Sequence, residues 1–137
     1  MKYNVIIGSK DDYQIIQLFK IVQSFFPGPV HSEKKRMDRI EKLILPHYNN
    51  IVILNGQNFD PNSLFEILTP EKFAACHILV LGNQLIRDAD EKMKAAIQHV
   101  AYPVESEQVR MALYKAIVKF ELKHSESANL NLDSILN

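Results

Sequence analysis

Asp11 and Asp12 stand just past the apolar run that ends in Gly8-Ser9. Adjacent carboxylates beyond a buried strand are the groups that hold a divalent cation. Only a slipped register would bring either acid toward a metal, however, and Ser9 to Asp12 reads more simply as a helix start. An oxygen side chain there caps the first N–H groups, and negative charge complements the helix dipole. Other reactive side chains are dispersed. His31, His47, His77, His99 and His124 are too scattered to suggest a metal set, and Cys76, ahead of an apolar run, is expected to be a core thiol rather than a nucleophile. In open α/β sheets the carboxyl ends of the strands are where ligands sit. Here those ends are Gly8-Ser9, Asn55-Gly56, Gly82-Asn83 and Tyr102-Pro103, which contain no carboxylate, imidazole or thiol. No GxGxxG or lysine-bearing phosphate loop follows them. Asn55-Gly56 is a deamidation-prone pair in principle, but a turn is the expected role.

The elements that would position these residues follow from periodicity. "KYNVIIGS", "NNIVILNG" and "CHILVLGN" are unbroken apolar runs closing on polar or glycine residues, as strands buried on both faces do. Between them, "DDYQIIQLFKIVQSFF" places Ile15, Ile16, Phe19, Val22 and Phe26 at helical spacing. After a weak strand around Val30, "EKKRMDRIEKLILPHY" carries Met37, Ile40, Leu43 and Ile44 on one helical face. Asp60-Pro61 is an N-cap with proline at the first helical position. "LIRDADEKMKAAIQ" is predicted as a polar-faced helix, "HVAYPV" as a short fifth strand, and Ser106 opens the long helix "EQVRMALYKAIVKFELKH". Strands alternating with helices predict a flavodoxin-like α/β fold: a doubly wound, five-stranded parallel sheet with helices on both faces. The expected domain is 1–124, followed by a polar tail or linker over 125–137.

Composition bounds the remaining classes. A chain of 137 residues with 47% hydrophobic content supports one domain with a full core. Sixteen basic and sixteen acidic residues cancel, so no net field favours nucleic acid. Lys34-Lys35-Arg36 reads as a solvated loop or helix start. One cysteine fits a reducing compartment. With no apolar run of membrane-spanning length and no leader expected, a cytoplasmic protein without membrane contact is predicted.

Element order and spacing over roughly residues 1–124, with Tyr102-Pro103 leading through "VESEQVRMALYKAI" into the last helix, resemble the receiver domains of bacterial two-component response regulators (CheY-like). The resemblance implies an acidic pair after the first strand, a phosphoacceptor aspartate after the third, Thr or Ser after the fourth and Lys-Pro after the fifth. In this chain those positions fall on Gly8 and Ser9, Asn55, Gly82, and Tyr102, and only Pro103 is kept. A carboxamide forms no acyl phosphate, and magnesium without anionic ligands keeps its water. The resemblance therefore implies a degenerate receiver, or pseudo-receiver, without catalysis, metal or cofactor, and with a cis Tyr102-Pro103 peptide. "GSKDD" after a strand also resembles the opening of the carboxyaminoimidazole mutase family, but nothing later continues that pattern.

The last helix carries two apolar stripes. Val109, Ala112, Leu113, Ala116, Ile117 and Phe120 form the stripe expected in the core. Met111, Tyr114, Val118 and Leu122 form a second, rotated away from it. By the resemblance, this second stripe docks a protein partner or a second copy of the chain. The expected function is thus a signalling or regulatory interaction module with an attached or separate output such as transcription. The alternative is a small-molecule or nucleotide-binding protein using Gly8, Ser9, Asn55, Gly82 and Asn83.

Overall fold

The unbroken apolar runs are strands, Tyr3–Gly8 (β1), Asn49–Asn55 (β3) and Cys76–Leu81 (β4), accompanied by the shorter Val30–Glu33 (β2) and Ile97–Val100 (β5). The computed structural model describes residues 2–87 and 91–136, the side chains of residue 92 and residues 126–136 excepted. Among them the helices are α1 (Asp12–Gln23), α2 (Met37–Leu43), α3 (Pro61–Ile67), α4 (Pro70–Ala74), α5 (Glu91–Ala95) and α6 (Ser106–Leu136). All strand pairs are parallel, in the order β2-β1-β3-β4-β5. This is the flavodoxin-like order, with its topological switch between β1 and β3.

Successive strand residues point to opposite faces. Val5, Ile7, Ile51, Ile53, Leu79 and Leu81 meet α1 and α6 on one side. Ile6, Val52, Leu54, Ile78 and Val80 meet Ile40 of α2 and Leu64 of α3 on the other. Two apolar layers leave no polar alternation in the strands, which is why the runs look continuous. At the amino ends, the fully buried Asn50 ties the chain together. Its Oδ1 accepts from Leu45 N (3.0 Å) and Asn4 Nδ2 (2.9 Å), and its Nδ2 reaches the carbonyls of Leu45 (2.9 Å) and Ala75 (3.1 Å).

Several local expectations are corrected. Ile16 is exposed, and α1 buries Leu18, Ile21 and Val22 instead, with Ile15 and Phe19 packed at the edge of the core. Ile16 lies roughly 160° around the helix from Leu18, so both cannot face the sheet. Helix α2 begins at Met37, after the basic cluster. Glu33 ends β2 and its carboxylate closes a turn by accepting from the N–H groups of Lys35 (2.9 Å) and Arg36 (3.1 Å).

The predicted helix over "LIRDADEKMKAAIQ" is reduced to α5, part of its length falling on 88–90, outside the described residues. Its last residues enter β5, because pairing with β4 (Ile78↔Ile97) captures them, and the strand therefore starts at Ile97 and ends before Tyr102. Helix α4 was not anticipated, although Thr69 caps it through Lys72 N (3.2 Å) and Pro70 opens it. Helix α6 itself continues past His124 to Leu136, so the polar stretch that follows is helical. Phe120 is its last buried residue before the exposed stretch 121–125. Among the described residues no helix is long and apolar enough to cross a membrane.

Candidate functional site

The carboxyl ends of β1 and β3 are neighbours in the sheet, and the connection after β5 folds over them. This brings Ser9, Asn55 and Tyr102 together. Ser9 and Asn55 are buried, whereas Tyr102 is partly exposed. Asn55 Oδ1 accepts from the Tyr102 hydroxyl (2.9 Å) and from Gln57 N (2.9 Å). Asn55 Nδ2 donates to Gln14 Oε1 at 2.8 Å and more weakly to Ser9 Oγ at 3.4 Å. The Ser9 hydroxyl donates to Gln14 Oε1 (2.9 Å) and accepts from Asp11 N (3.1 Å). One carboxamide thus has both its oxygen and its nitrogen engaged by this chain's own groups.

The other positions are closed by packing. A Cβ at Gly8 would lie 2.7 Å from Ile40 Cδ1 and 2.9 Å from Leu54 Cδ2, so an acidic side chain there would displace core atoms. Gly82 adopts φ +122°, a conformation that favours glycine. Its carbonyl meets His99 Nδ1 at 3.0 Å. The Gln84 side chain lies against both Gly56 and Gly82, occupying the space a Cβ would need. Neither Gln14 nor Gln84 was picked out from sequence. Gln14 sits one turn into α1 and Gln84 in the loop after β4, and neither belongs to a recognisable motif.

The nearby acids have structural roles. Asp11 is the α1 N-cap, accepting from Tyr13 N (3.0 Å) and Gln14 N (3.3 Å). Asp12 pairs with Lys34, and Arg36 makes a two-pronged contact with Asp38 (2.9 and 2.8 Å). Burial raises the Tyr102 phenol above its ordinary pKa, and the Asp11 carboxylate adds to this against a hydrogen bond from Gln14. The phenol therefore stays protonated at neutral pH, as donation to Asn55 requires. The Tyr102-Pro103 peptide is cis, as expected. Among the described residues no group of three or more His, Cys, Asp and Glu is placed to hold a metal.

The second feature read from sequence lies on α6. Val109, Ala112, Leu113, Ala116 and Phe120 are buried, with Ile117 packed beside them. Met111 (56% exposed), Tyr114 (63%), Val118 (37%) and Leu122 (58%) form an outward stripe on the opposite side of the helix.

Fold and site together define a flavodoxin-like α/β domain whose strand-end crevice is closed by its own amide, hydroxyl and phenol groups. Its likeness to known proteins is one of shape. The chain matches no protein-family profile and no curated protein. It is similar to the crystal structure of a pilus assembly-related protein from Burkholderia pseudomallei, with 16% identity and a TM-score of 0.54 over 83% of this chain and 88% of that one. It is also similar to a pilus assembly protein (cpaE) from Burkholderia thailandensis, with 17% identity and a TM-score of 0.55 over 86% of this chain and 99% of that one. At such identities the agreement bears on the fold.

Proposed function

We propose that this domain is a non-catalytic, pseudo-receiver type of signalling or regulatory module that works by protein–protein contact. The observation that carries the reading is the Asn55 network. Where a receiver would present a phosphoacceptor carboxylate, a metal and a lysine, this chain presents a satisfied carboxamide hydrogen-bonded to Gln14 and Tyr102. Acyl phosphate formation needs a carboxylate oxygen as nucleophile, and magnesium needs anionic oxygens to displace its water. Neither is offered here.

Contact then falls to the surface of α6. Interface centres favour Met and aromatic anchors, and Met111 and Tyr114 supply both on an outward helical face. The partner is a protein, in the simplest case a second copy of this chain, and the output it controls is attached or separate, with transcription among the candidates. The two structural neighbours, named for pilus assembly, add regulation of an assembly process as another setting. Incubation with acetyl phosphate, or with beryllofluoride, in the presence of magnesium tests the silent site. Intact mass and amide chemical shifts are expected to stay unchanged, and a phosphoryl adduct would overturn the reading.

A further inference from the structure

At the opposite, amino-terminal end of the sheet, beside the start of β4, lies a cavity of about 650 Å³. That is within the range of roughly 300–1,000 Å³ typical of small-molecule sites. Its walls are apolar, formed mainly by Phe65, Leu68, Phe73, Met93 and Phe120. They come from both sides of the sheet because β5 starts only at Ile97, so the first residues of β4, Cys76 and His77, pair with β3 on one side and have no strand on the other.

Two polar features are built into this apolar space. His77, only 6% exposed, lines the cavity and has one ring nitrogen engaged, Nε2 with Gln98 Oε1 at 3.0 Å. An amide oxygen accepts, so Nε2 carries the proton and Nδ1 is a bare acceptor. That Nδ1 is buried with no hydrogen-bond partner in the protein. Burial lowers the His77 pKa, the Gln98 contact opposes this and the Lys119 charge adds to it, so the ring is neutral at pH 7. Lys119 also lines the cavity, next to Lys123, which donates to Ala74 O at 3.2 Å. No carboxylate among the described residues forms an ion pair with Lys119. Lys119 is exposed to solvent along part of its length, and its partial burial together with the Lys123 charge lowers its pKa.

We propose that this cavity binds a small hydroxy acid: an apolar, ring-sized body with one carboxylate that meets Lys119 and one hydroxyl that donates to His77 Nδ1. Each part of the ligand answers a separate feature of the protein. The body replaces water along the aromatic walls, the anion pairs with a cavity-lining ammonium group that forms no ion pair within the described protein, and the hydroxyl satisfies a buried acceptor. An anion alone would leave Nδ1 unsatisfied, since a carboxylate has no proton to give. The site is remote from Asn55 and does not depend on the signalling reading.

Three fluorescent probes separate these contributions in titrations of the full chain at pH 7.5. 6-Hydroxy-2-naphthoate carries both groups, 2-naphthoate lacks the hydroxyl, and 2-naphthol lacks the carboxylate. The first is expected to saturate a single site and to bind about tenfold or more tightly than either of the others, the scale of one buried hydrogen bond or ion contact. Lys119→Gln should erase its advantage over 2-naphthol, and His77→Phe its advantage over 2-naphthoate, with folding checked by circular dichroism. Equal affinity for all three probes, or no saturable binding of the first, overturns the proposal. Because that comparison is made on the unaltered chain, it decides the matter even if a variant fails to fold.

Discussion

Replacing the Asn55 carboxamide by a carboxylate is the most direct way to ask whether this crevice retains any receiver chemistry. In Asn55→Asp, the oxygen that accepts from Tyr102 and Gln57 N is preserved, but the nitrogen that donates to Gln14 Oε1 at 2.8 Å becomes an acceptor facing an acceptor. Losing that bond costs about 1 kcal/mol. Placing charge at a residue 5% exposed adds a desolvation penalty of several kcal/mol, much of it offset by donation from Tyr102, Gln57 N and a turned Gln14 amide. The expected net loss is about 2 kcal/mol at pH 7, equivalent to a carboxyl pKa about 1.5 pH units above its unfolded value.

The sign of the pH dependence follows. A carboxyl whose folded pKa is raised binds protons more readily in the folded state, so the variant regains stability as pH falls through that pKa. Once protonated, its O–H donates to Gln14 as the amide did. Urea unfolding of both proteins at pH 7.0 and pH 4.0 should therefore show a gap that narrows at the lower pH. A gap that is the same at both, or a variant more stable than the parent at pH 7, would refute the reasoning. Phosphorylation by acetyl phosphate should remain absent in the variant, since packing against Ile40 and Leu54 keeps an acid from position 8 and Tyr102 still stands over the site.

Three further outcomes are expected. Tyr114→Ala combined with Val118→Glu should weaken association by at least about 2 kcal/mol while leaving the circular dichroism melt nearly unchanged, because both residues point away from the core. Light scattering on the same samples reads the mass, and a parent that is monomeric at high concentration removes the second-copy form of the contact. His77 has its pKa lowered, chiefly by burial, so its contribution to stability is full above the unfolded imidazole value and falls as pH drops below it. An NMR titration should place its midpoint below the value of an unfolded imidazole, and an ordinary midpoint would contradict the burial. The Cys76 thiol, pushed up to about 12 by burial, should resist Ellman's reagent at pH 8 in the folded protein and react at once in urea.

The structural clasp at the amino ends and the crevice at the carboxyl ends show two kinds of information at work. Doubly apolar runs such as "NNIVILNG" identify strands by themselves, because a strand covered on both faces has no other pattern available. The core stripe of α6 was likewise legible, since 3.6-residue spacing leaves one set of positions facing the sheet. So was the amide at position 55, as the last residue of a strand whose extent the apolar run defines. Helices α4 and α5 are only a turn or so long, and periodicity needs several turns to register.

Which residues meet depends on strand order and packing. Gln14 reaches Asn55 across 41 positions, and Tyr102 reaches it across 47, because a parallel sheet delivers all its strand ends to one edge whatever their order in the chain. His77 looked like one of several scattered histidines. Its burial comes from its place on β4 beside β3, while the late start of β5 leaves a cavity where a second neighbouring strand would have lain. Local sequence determines the elements through short-range geometry, whereas the site arises from strand order and packing, which bring together residues with no sequence relation to one another.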